Sequence, residues 1–153
     1  MERHNHNKCV STAMGAAERV CERRAVKLTP LRRRILELVW RSHAPVGAYE
    51  ILEHLAGDDG RRAAPPTVYR SLDFLIEQGL VHRIETLNAF VGCAHPESPH
   101  EAQYLICERC GDAVEFEIAG LSKKITTAAA AQGFEVGGQT IEVRGHCQDC
   151  RAT

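Results

Sequence analysis

The chain has 153 residues, of which 44% are hydrophobic, and a formal net charge of −1 at pH 7. This length allows one ordinary domain or two small ones, with enough apolar residues for hydrophobic cores. The first eight residues are polar and no apolar run is long enough to cross a bilayer, so secretion and membrane insertion are not indicated and the cytoplasm is the expected compartment.

Charge is distributed unevenly along the chain. Residues 1–80 carry 13 Lys and Arg against 10 Asp and Glu, a net charge of +3, whereas residues 81–153 carry 6 against 10, a net charge of −4. Between Arg19 and Arg34, seven cations surround a single acid, Glu22. This basic window suits phosphate groups, and a solvated helix face is an equally good interpretation of the charge alone.

The first half predicts four helices. Thr29-Pro30 is a cap followed by proline at the first helical position, and Pro65 opens the last helix in the same way. Apolar residues recur at helical spacing, so each helix is expected to bury one face. Residues 1–14 are expected to form a flexible tail that overlaps the start of the first helix. The tail contains His4, His6 and Cys9, which are of residue types that can bind metal, but no function is assigned to them. The predicted helices cover about 11–26, 47–55 and 65–76, and another begins at residue 30 and is ended by His43-Ala44-Pro45. A loop is expected at 57–60.

Two β-rich runs after Gly79, at 80–85 and 89–93, predict a hairpin. With the three helices before it, this hairpin makes a winged helix, whose third core helix is presented to the major groove of DNA. We therefore expect Tyr69 and Arg70 to read base edges, although an ordinary surface arginine is the simpler interpretation of Arg70 taken singly. The predicted DNA-contacting residues are Tyr49, Thr67, Tyr69, Arg70 and Arg32.

The second half alternates strand and helix and predicts a small α/β unit. Strands are expected at 103–106, 113–118 and 134–144, the last interrupted by a bulge or turn at 137–138, with a helix over 121–132. The apolar content is modest, so a metal cross-link would help this half to stay folded. The whole chain is expected to be α+β: a tail at 1–14, a winged helix at 15–93, a hinge at 94–98 and a dimerisation and metal-binding domain at 99–153.

The two C-x-x-C pairs of the second half predict one structural zinc ion. Seven cysteines is an odd number, and in a reducing compartment such pairs bind metal or do redox work rather than form a disulfide scaffold. Two C-x-x-C turns together supply a tetrahedral four-thiolate shell with no open position for catalysis. Two separate redox motifs are disfavoured, because neither pair lies in a βα context. The predicted ligands are Cys107, Cys110, Cys147 and Cys150.

Several separated motifs stand in order along the chain. They are Leu28-Thr29-Pro30-Leu31-Arg32, Pro66-Thr67-Val68-Tyr69-Arg70-Ser71-Leu72, Gly79-Leu80-Val81-His82 and the two C-x-x-C pairs. Together they resemble the ferric uptake regulator family, and most of all its zinc uptake regulator branch, over about residues 15–150. The resemblance implies a dimer, each chain with an N-terminal winged helix and a C-terminal dimerisation domain, that represses zinc-uptake genes when zinc is plentiful.

The resemblance also implies a second, regulatory zinc site between the domains. Two imidazoles, one thiolate and one carboxylate are acceptable zinc ligands, and a soft sulfur favours zinc over manganese or a hard-ligand iron site. His95 lies two residues from Cys93 and is an alternative to His100. Each residue also has an ordinary structural interpretation when it is taken alone. The positions that match the family's ligands are His82, Cys93, His100 and Glu115.

The sequence therefore predicts a zinc-sensing transcriptional repressor that binds two Zn²⁺ per chain and operator DNA as a homodimer, with no membrane and no small-molecule substrate as partners. An iron, manganese or peroxide sensor of the same family is the alternative, and a zinc-ribbon module that binds another protein is a weaker one. An enzyme is not expected. The H-x-E and P-C-x-x-C elements of a zinc deaminase do not occur together, and a closed four-sulfur site leaves no metal-bound water.

Overall fold

A computed structural model describes residues 6–59 and 63–152, without the side chains of 58 and 59. The predictions made for His4 and for the end of the loop at residue 60 lie outside these residues. The chain divides into two compact units, Met1–Ser98 and Pro99–Thr153. Among the helices described, none has the length and the apolar character needed to cross a membrane.

The described residues of the first unit form four helices followed by a two-stranded hairpin. Strands β1 and β2 are antiparallel and are joined by a 3₁₀ turn at Glu85–Leu87. The unit is a winged helix, as the sequence predicts. Its elements are α1 (His6–Arg23), α2 (Pro30–Val39), α3 (Ala48–Asp59), α4 (Pro65–Glu77), β1 (Val81–Ile84) and β2 (Ala89–Gly92).

Helix ends in this unit follow local chemistry. The Thr29 hydroxyl caps α2 by accepting a hydrogen bond from the backbone N–H of Arg32 at 3.3 Å. Helix α4 ends in a Schellman motif, in which Gly79 takes a left-handed backbone with φ of +69°. Helix α1 ends in the same motif, with Ala25 at φ of +52° in the position where glycine is usual.

The core of the first unit joins one face of each helix to one face of the hairpin. Successive residues of a β strand face opposite sides of the sheet, and cross-strand partners share a side. Val81, Phe90 and Gly92 therefore lie on the core side of the hairpin. His82 and Val91 lie on the other side. The largest fully buried side chains of this core are Val20, Ile35, Leu36, Val39, Ile51, Val68, Leu72, Leu75 and Val81.

The second unit is a three-stranded sheet with two helices. The strand order is β4-β3-β5, in which β3 and β4 are antiparallel and β3 and β5 are parallel. Few of its side chains are buried, and Tyr104 and Ile106 are the large apolar ones among them. The elements are β3 (Ala102–Cys107), β4 (Ala113–Glu115), α5 (Leu121–Ala131), β5 (Thr140–Gly145) and α6 (Gln148–Arg151).

Four predicted element boundaries are wrong. Helix α1 begins at His6, so His6 and Cys9 lie in a helix and not in a flexible tail; Val10 and Ala13 pack on the core and hold this first part in place. Helix α3 continues to Asp59, over most of the predicted loop at 57–60. In the second unit β4 ends at Glu115, and the predicted strand 134–144 is a strand only from Thr140 onward.

Candidate metal centres and DNA-contacting surface

The structure brings the four cysteines of the second unit together. Cys107 ends β3 and Cys110 follows in a turn that Gly111 closes with φ of +79°. Cys147 caps the short helix α6, which contains Cys150. All four Sγ atoms lie within 4.8 Å of one another. Since β5 runs parallel to β3 as far as the pair Cys107 and Gly145, the sheet brings the two distant C-x-x-C turns to one end.

Thiol ionisation at this cluster is strongly perturbed. The backbone N–H of Cys110, followed by that of Cys147 at 3.4 Å, lowers the pKa of Cys107 to about 5. A side-chain hydrogen bond with Cys147, followed by burial, raises the pKa of Cys150 to about 12, because both favour the neutral thiol. Only a cation can hold all four groups as thiolates, so the donor set fits tetrahedral zinc in a closed structural site.

Two of the predicted regulatory ligands lie in the first unit. His82 on β1 is the cross-strand partner of Val91, and Cys93 follows two residues later on the same face of the hairpin. The register therefore brings the imidazole and the thiol within 4.8 Å of each other. Cys93 is 2% exposed, and its backbone N–H donates to the carbonyl oxygen of Leu80 at 3.0 Å.

The other two predicted ligands lie in the second unit. His100 Nε2 is 2.7 Å from Oε1 of Glu115, and both side chains are 16% exposed. Glu115 Oε2 is buried and has no hydrogen-bond partner among the described residues, which is a costly state for a carboxylate oxygen. A metal ion fits here, because it would satisfy that oxygen. His95 is exposed, and it is His100 that meets Glu115.

The predicted DNA-contacting residues of α3 and α4 lie on the surface. Burial of Val68, Leu72 and Leu75 leaves Thr67, Tyr69 and Arg70 on the outer face of α4. Tyr69 is 50% exposed, and Tyr49, in the first turn of α3, is 73% exposed. Both rings are therefore accessible to a binding partner.

Arg32 is engaged within the first unit. Its Nη1 donates to the carbonyl oxygen of Lys27 at 2.7 Å, and its guanidinium carbon lies 3.7 Å from the centre of the Phe74 ring. This cation–π contact connects the start of α2 with α4. These two interactions occupy Nη1 and one face of the Arg32 guanidinium.

Much of the basic window predicted to suit phosphate is also paired internally. Arg19 and Arg23 on α1 both contact the carboxylate of Glu97, at 3.3 Å and 3.1 Å. The hydrogen bond from Arg19 lowers the pKa of Glu97. Arg24 donates to the carbonyl oxygen of Gln78 at 3.0 Å. The sequence does not indicate the contacts with Glu97, because Glu97 is 74 residues beyond Arg23 and no spacing rule connects them. The remaining pairs are Arg33 with both Glu18 and Glu37, and Arg34 with Glu37.

The sheet of the second unit exposes a row of apolar side chains that the sequence alone does not reveal. Leu105 is the cross-strand partner of Val114 on one side and of Val143 on the other. These side chains are 47%, 59% and 47% exposed. An apolar row across all three strands is typical of a surface that another protein covers.

Comparison with known proteins gives consistent similarities. A sequence profile of the Ferric uptake regulator family matches residues 23–144. The chain is 39% identical to the zinc uptake regulation protein of Escherichia coli (strain K12) over 138 residues, 90% of this chain and 80% of the relative. It is 34% identical to the peroxide operon regulator of Bacillus subtilis (strain 168), over 82% of this chain and 84% of the relative.

Solved structures agree with these relatives. The crystal structure of holo XcZur superposes with a TM-score of 0.84 at 44% identity, over 92% of this chain and 97% of the other. A zinc uptake regulator complexed with zinc and DNA superposes with a TM-score of 0.88 at 38% identity, over 94% and 95% of the two chains. Both similarities extend over nearly the full length of the chain.

Proposed function

The chain belongs to the ferric uptake regulator family, and from that premise we propose that it is a zinc-sensing transcriptional repressor. In this proposal it binds operator DNA as a zinc-loaded homodimer and represses genes for zinc uptake. The observation that carries the proposal is the four-cysteine cluster of the second unit, together with two further pairs of metal-binding side chains within the units, His82 with Cys93 in the first and His100 with Glu115 in the second. A repressor acts on DNA, so the proposal places the protein in the cytoplasm.

The two sets are suited to different tasks. Cys107, Cys110, Cys147 and Cys150 all belong to the second unit and would form a closed shell, which suits a permanent structural ion and leaves no position for catalysis. We propose no enzymatic activity. The mixed set would take the regulatory ion, with His82 and Cys93 from the first unit and His100 and Glu115 from the second, giving two zinc ions per chain.

Regulation would follow from this division of ligands. The hairpin holds His82 and Cys93 on the face opposite the helical core of the first unit. In the second unit, the hydrogen bond with Glu115 orients His100. If all four bind one ion, the freedom of one unit against the other is restricted, which sets the angle between the two DNA-reading helices of a dimer. For zinc to switch operator occupancy almost completely, it must bind the DNA-binding arrangement about 10⁴-fold more tightly than the other arrangement. This ratio corresponds to roughly 5.5 kcal/mol.

DNA and a second copy of the chain are the proposed partners. We propose that Tyr49, Thr67, Tyr69 and Arg70 contact operator DNA, since all of them are exposed on α3 and α4. Arg32 stays a weaker candidate because of its contacts with Lys27 and Phe74. The apolar row of Leu105, Val114 and Val143 suits the dimer interface, because a second copy would cover surface that a single chain leaves exposed.

The proposal is tested by operator binding across a series of buffered Zn²⁺, Fe²⁺ and Mn²⁺ concentrations at constant salt. Native mass spectrometry counts the metals per chain. We expect zinc to raise operator affinity, and Cys93→Ser to abolish that response while the structural ion and the dimer remain. Cys9→Ser is the matched control, because Cys9 belongs to neither set. Equal operator affinity with and without zinc at the second site contradicts the proposal.

A peroxide or iron sensor is the second candidate, favoured by the similarity to the peroxide operon regulator. The thiol at Cys93 argues against it, because a soft sulfur ligand favours zinc over iron or manganese. Activation of operator binding by Fe²⁺ or Mn²⁺ at concentrations at which Zn²⁺ is inactive would favour this second candidate.

A further inference from the structure

The indole ring of Trp40 lies directly against the backbone of Gly92. A Cβ atom placed on Gly92 would be 2.2 Å from Cε2 and 2.3 Å from Nε1 of Trp40, which is far closer than real contacts allow. Gly92 has no positive φ, so backbone conformation does not require glycine at this position. The requirement for glycine comes from the tryptophan ring.

This contact sits immediately before Cys93, one of the proposed zinc ligands. Gly92 belongs to the core face of the hairpin with Val81, and Cys93 belongs to the opposite face with His82. On its other side the backbone of Cys93 is held by the hydrogen bond to the carbonyl of Leu80 at 3.0 Å. The peptide that carries the thiol is thus fixed both by an aromatic ring and by a hydrogen bond.

Trp40 is itself held at the end of helix α2. It is the C-cap residue, and its backbone N–H donates to the carbonyl oxygen of Leu36 at 3.0 Å. Leu36 is buried in the core of the first unit. The ring of Trp40 therefore connects helix α2 with Gly92, the residue before Cys93.

We propose that Trp40, by packing on Gly92, is the positioning residue that fixes Cys93 for zinc binding and links the zinc-binding face of the hairpin to helix α2. This inference rests on the proposed zinc-sensing function. Residues that orient a metal ligand without touching the metal change its affinity by about 10- to 100-fold when they are lost. Cys93 is nearly fully buried, so a displaced backbone has little space in which to restore the orientation of the thiol.

The test uses the full chain with zinc kept in the four-cysteine site and Co²⁺ titrated into the second site. Mass spectrometry verifies that the zinc stays bound. Cobalt is the probe because its thiolate charge-transfer absorption reports directly on the bond to Cys93. The variants are Gly92→Ala, Trp40→Phe and Trp40→Leu. Gly57→Ala is the matched control, since Gly57 lies in the same unit with open space around its Cα and no positive φ.

We expect Gly92→Ala to weaken Co²⁺ binding by about 10-fold or more and to alter the charge-transfer band, because the strand must move away from the ring. Trp40→Leu should weaken binding similarly, whereas Trp40→Phe keeps a flat ring and should remain near wild type. Gly92→Ala should reduce the Co²⁺ affinity much less when it is introduced into the Trp40→Leu variant, since the tryptophan ring is then absent. Gly57→Ala should leave both the affinity and the spectrum unchanged.

The inference is overturned if Trp40→Leu and Gly92→Ala both bind Co²⁺ with wild-type affinity and spectrum. A lower melting temperature of these variants would not alter that conclusion, because it would show that the contact stabilises the fold without positioning Cys93. If Gly92→Ala does not fold, Trp40→Leu and Trp40→Phe decide the question between them. If the wild-type chain binds no second metal ion, the proposed function itself fails, and the two failures are thus distinguished.

Discussion

Loss of the structural ion should unfold the second unit and leave the first unit folded. Cys110→Ser is the cleanest perturbation, because Cys110 is exposed whereas Cys107 is buried and also contributes packing. In the second unit Tyr104 and Ile106 are the large buried apolar residues, and burial of each contributes about 1.5–3 kcal/mol. Structural zinc contributes about 10–16 kcal/mol in small zinc domains, against a net stability of roughly 5–15 kcal/mol for an ordinary domain.

The assay is amide hydrogen exchange on the full chain, followed by mass spectrometry of peptides, at a chelator concentration at which the wild type keeps its zinc. We expect β3 (Ala102–Cys107) and β5 (Thr140–Gly145) to lose protection in Cys110→Ser, while α2 and α4 exchange as in the wild type. Cys9→Ser is the control and should match the wild type throughout. Retained protection of β3 and β5 after verified loss of zinc would refute the reasoning.

Three further predictions concern DNA binding, helix capping and assembly. Arg70→Ala should weaken operator binding by about 1–3 kcal/mol in fluorescence anisotropy at fixed salt, and an equal loss on unrelated DNA would show that Arg70 meets only phosphate. Ala25→Gly should raise the free energy of unfolding of the first unit by about 1 kcal/mol in urea, because a left-handed backbone costs other residues roughly 1–2 kcal/mol and the extra entropy of glycine offsets part of that gain. A lower free energy of unfolding would contradict this. Leu105→Glu should shift the chain from dimer to monomer in analytical ultracentrifugation, and an unchanged mass would exclude the apolar row as the interface.

The parts of the fold that local chemistry determines could be predicted from the sequence. The Thr29-Pro30 cap starts α2, Pro65 starts α4, and Gly79 ends α4, because each fixes the backbone within a few residues. Each C-x-x-C turn could be predicted for the same reason, whereas the pairing of β3 with β5 brings the two turns together. The winged helix followed from the order of these elements.

Features that depend on distant contacts could not be predicted. The start of α1 is helical because Val10 and Ala13 pack on a core formed by later segments. Strand β5 begins only at Thr140, where it pairs with Ala102 on β3, whereas the apolar residues from 134 onward had suggested a longer strand. The apolar row through Leu105 depends on the registers of two strand pairs, and a single strand sequence does not contain them.

The basic window illustrates why charge alone is a poor guide to DNA contact. Seven cations near one acid in the sequence suggest a phosphate-binding surface, yet Arg19 and Arg23 meet a carboxylate that comes from Glu97, and Arg32 stacks on Phe74. The exposed residues of α3 and α4 carry the DNA-binding proposal better, because helix periodicity determines which of their side chains face outward.

In the proposed function, the hairpin connects two of the zinc ligands with the helical core that carries the proposed DNA-contacting residues. Its alternating faces separate the two tasks: Val81 and Phe90 pack into the helical core, whereas His82 and Cys93 face the other way. Such a two-sided strand cannot slip by one residue without exchanging core and ligand positions, so its register is strongly determined. In the proposed positioning role of Trp40, a change in the orientation of Cys93 would reach the helical core as a movement of β2 against the Trp40 ring.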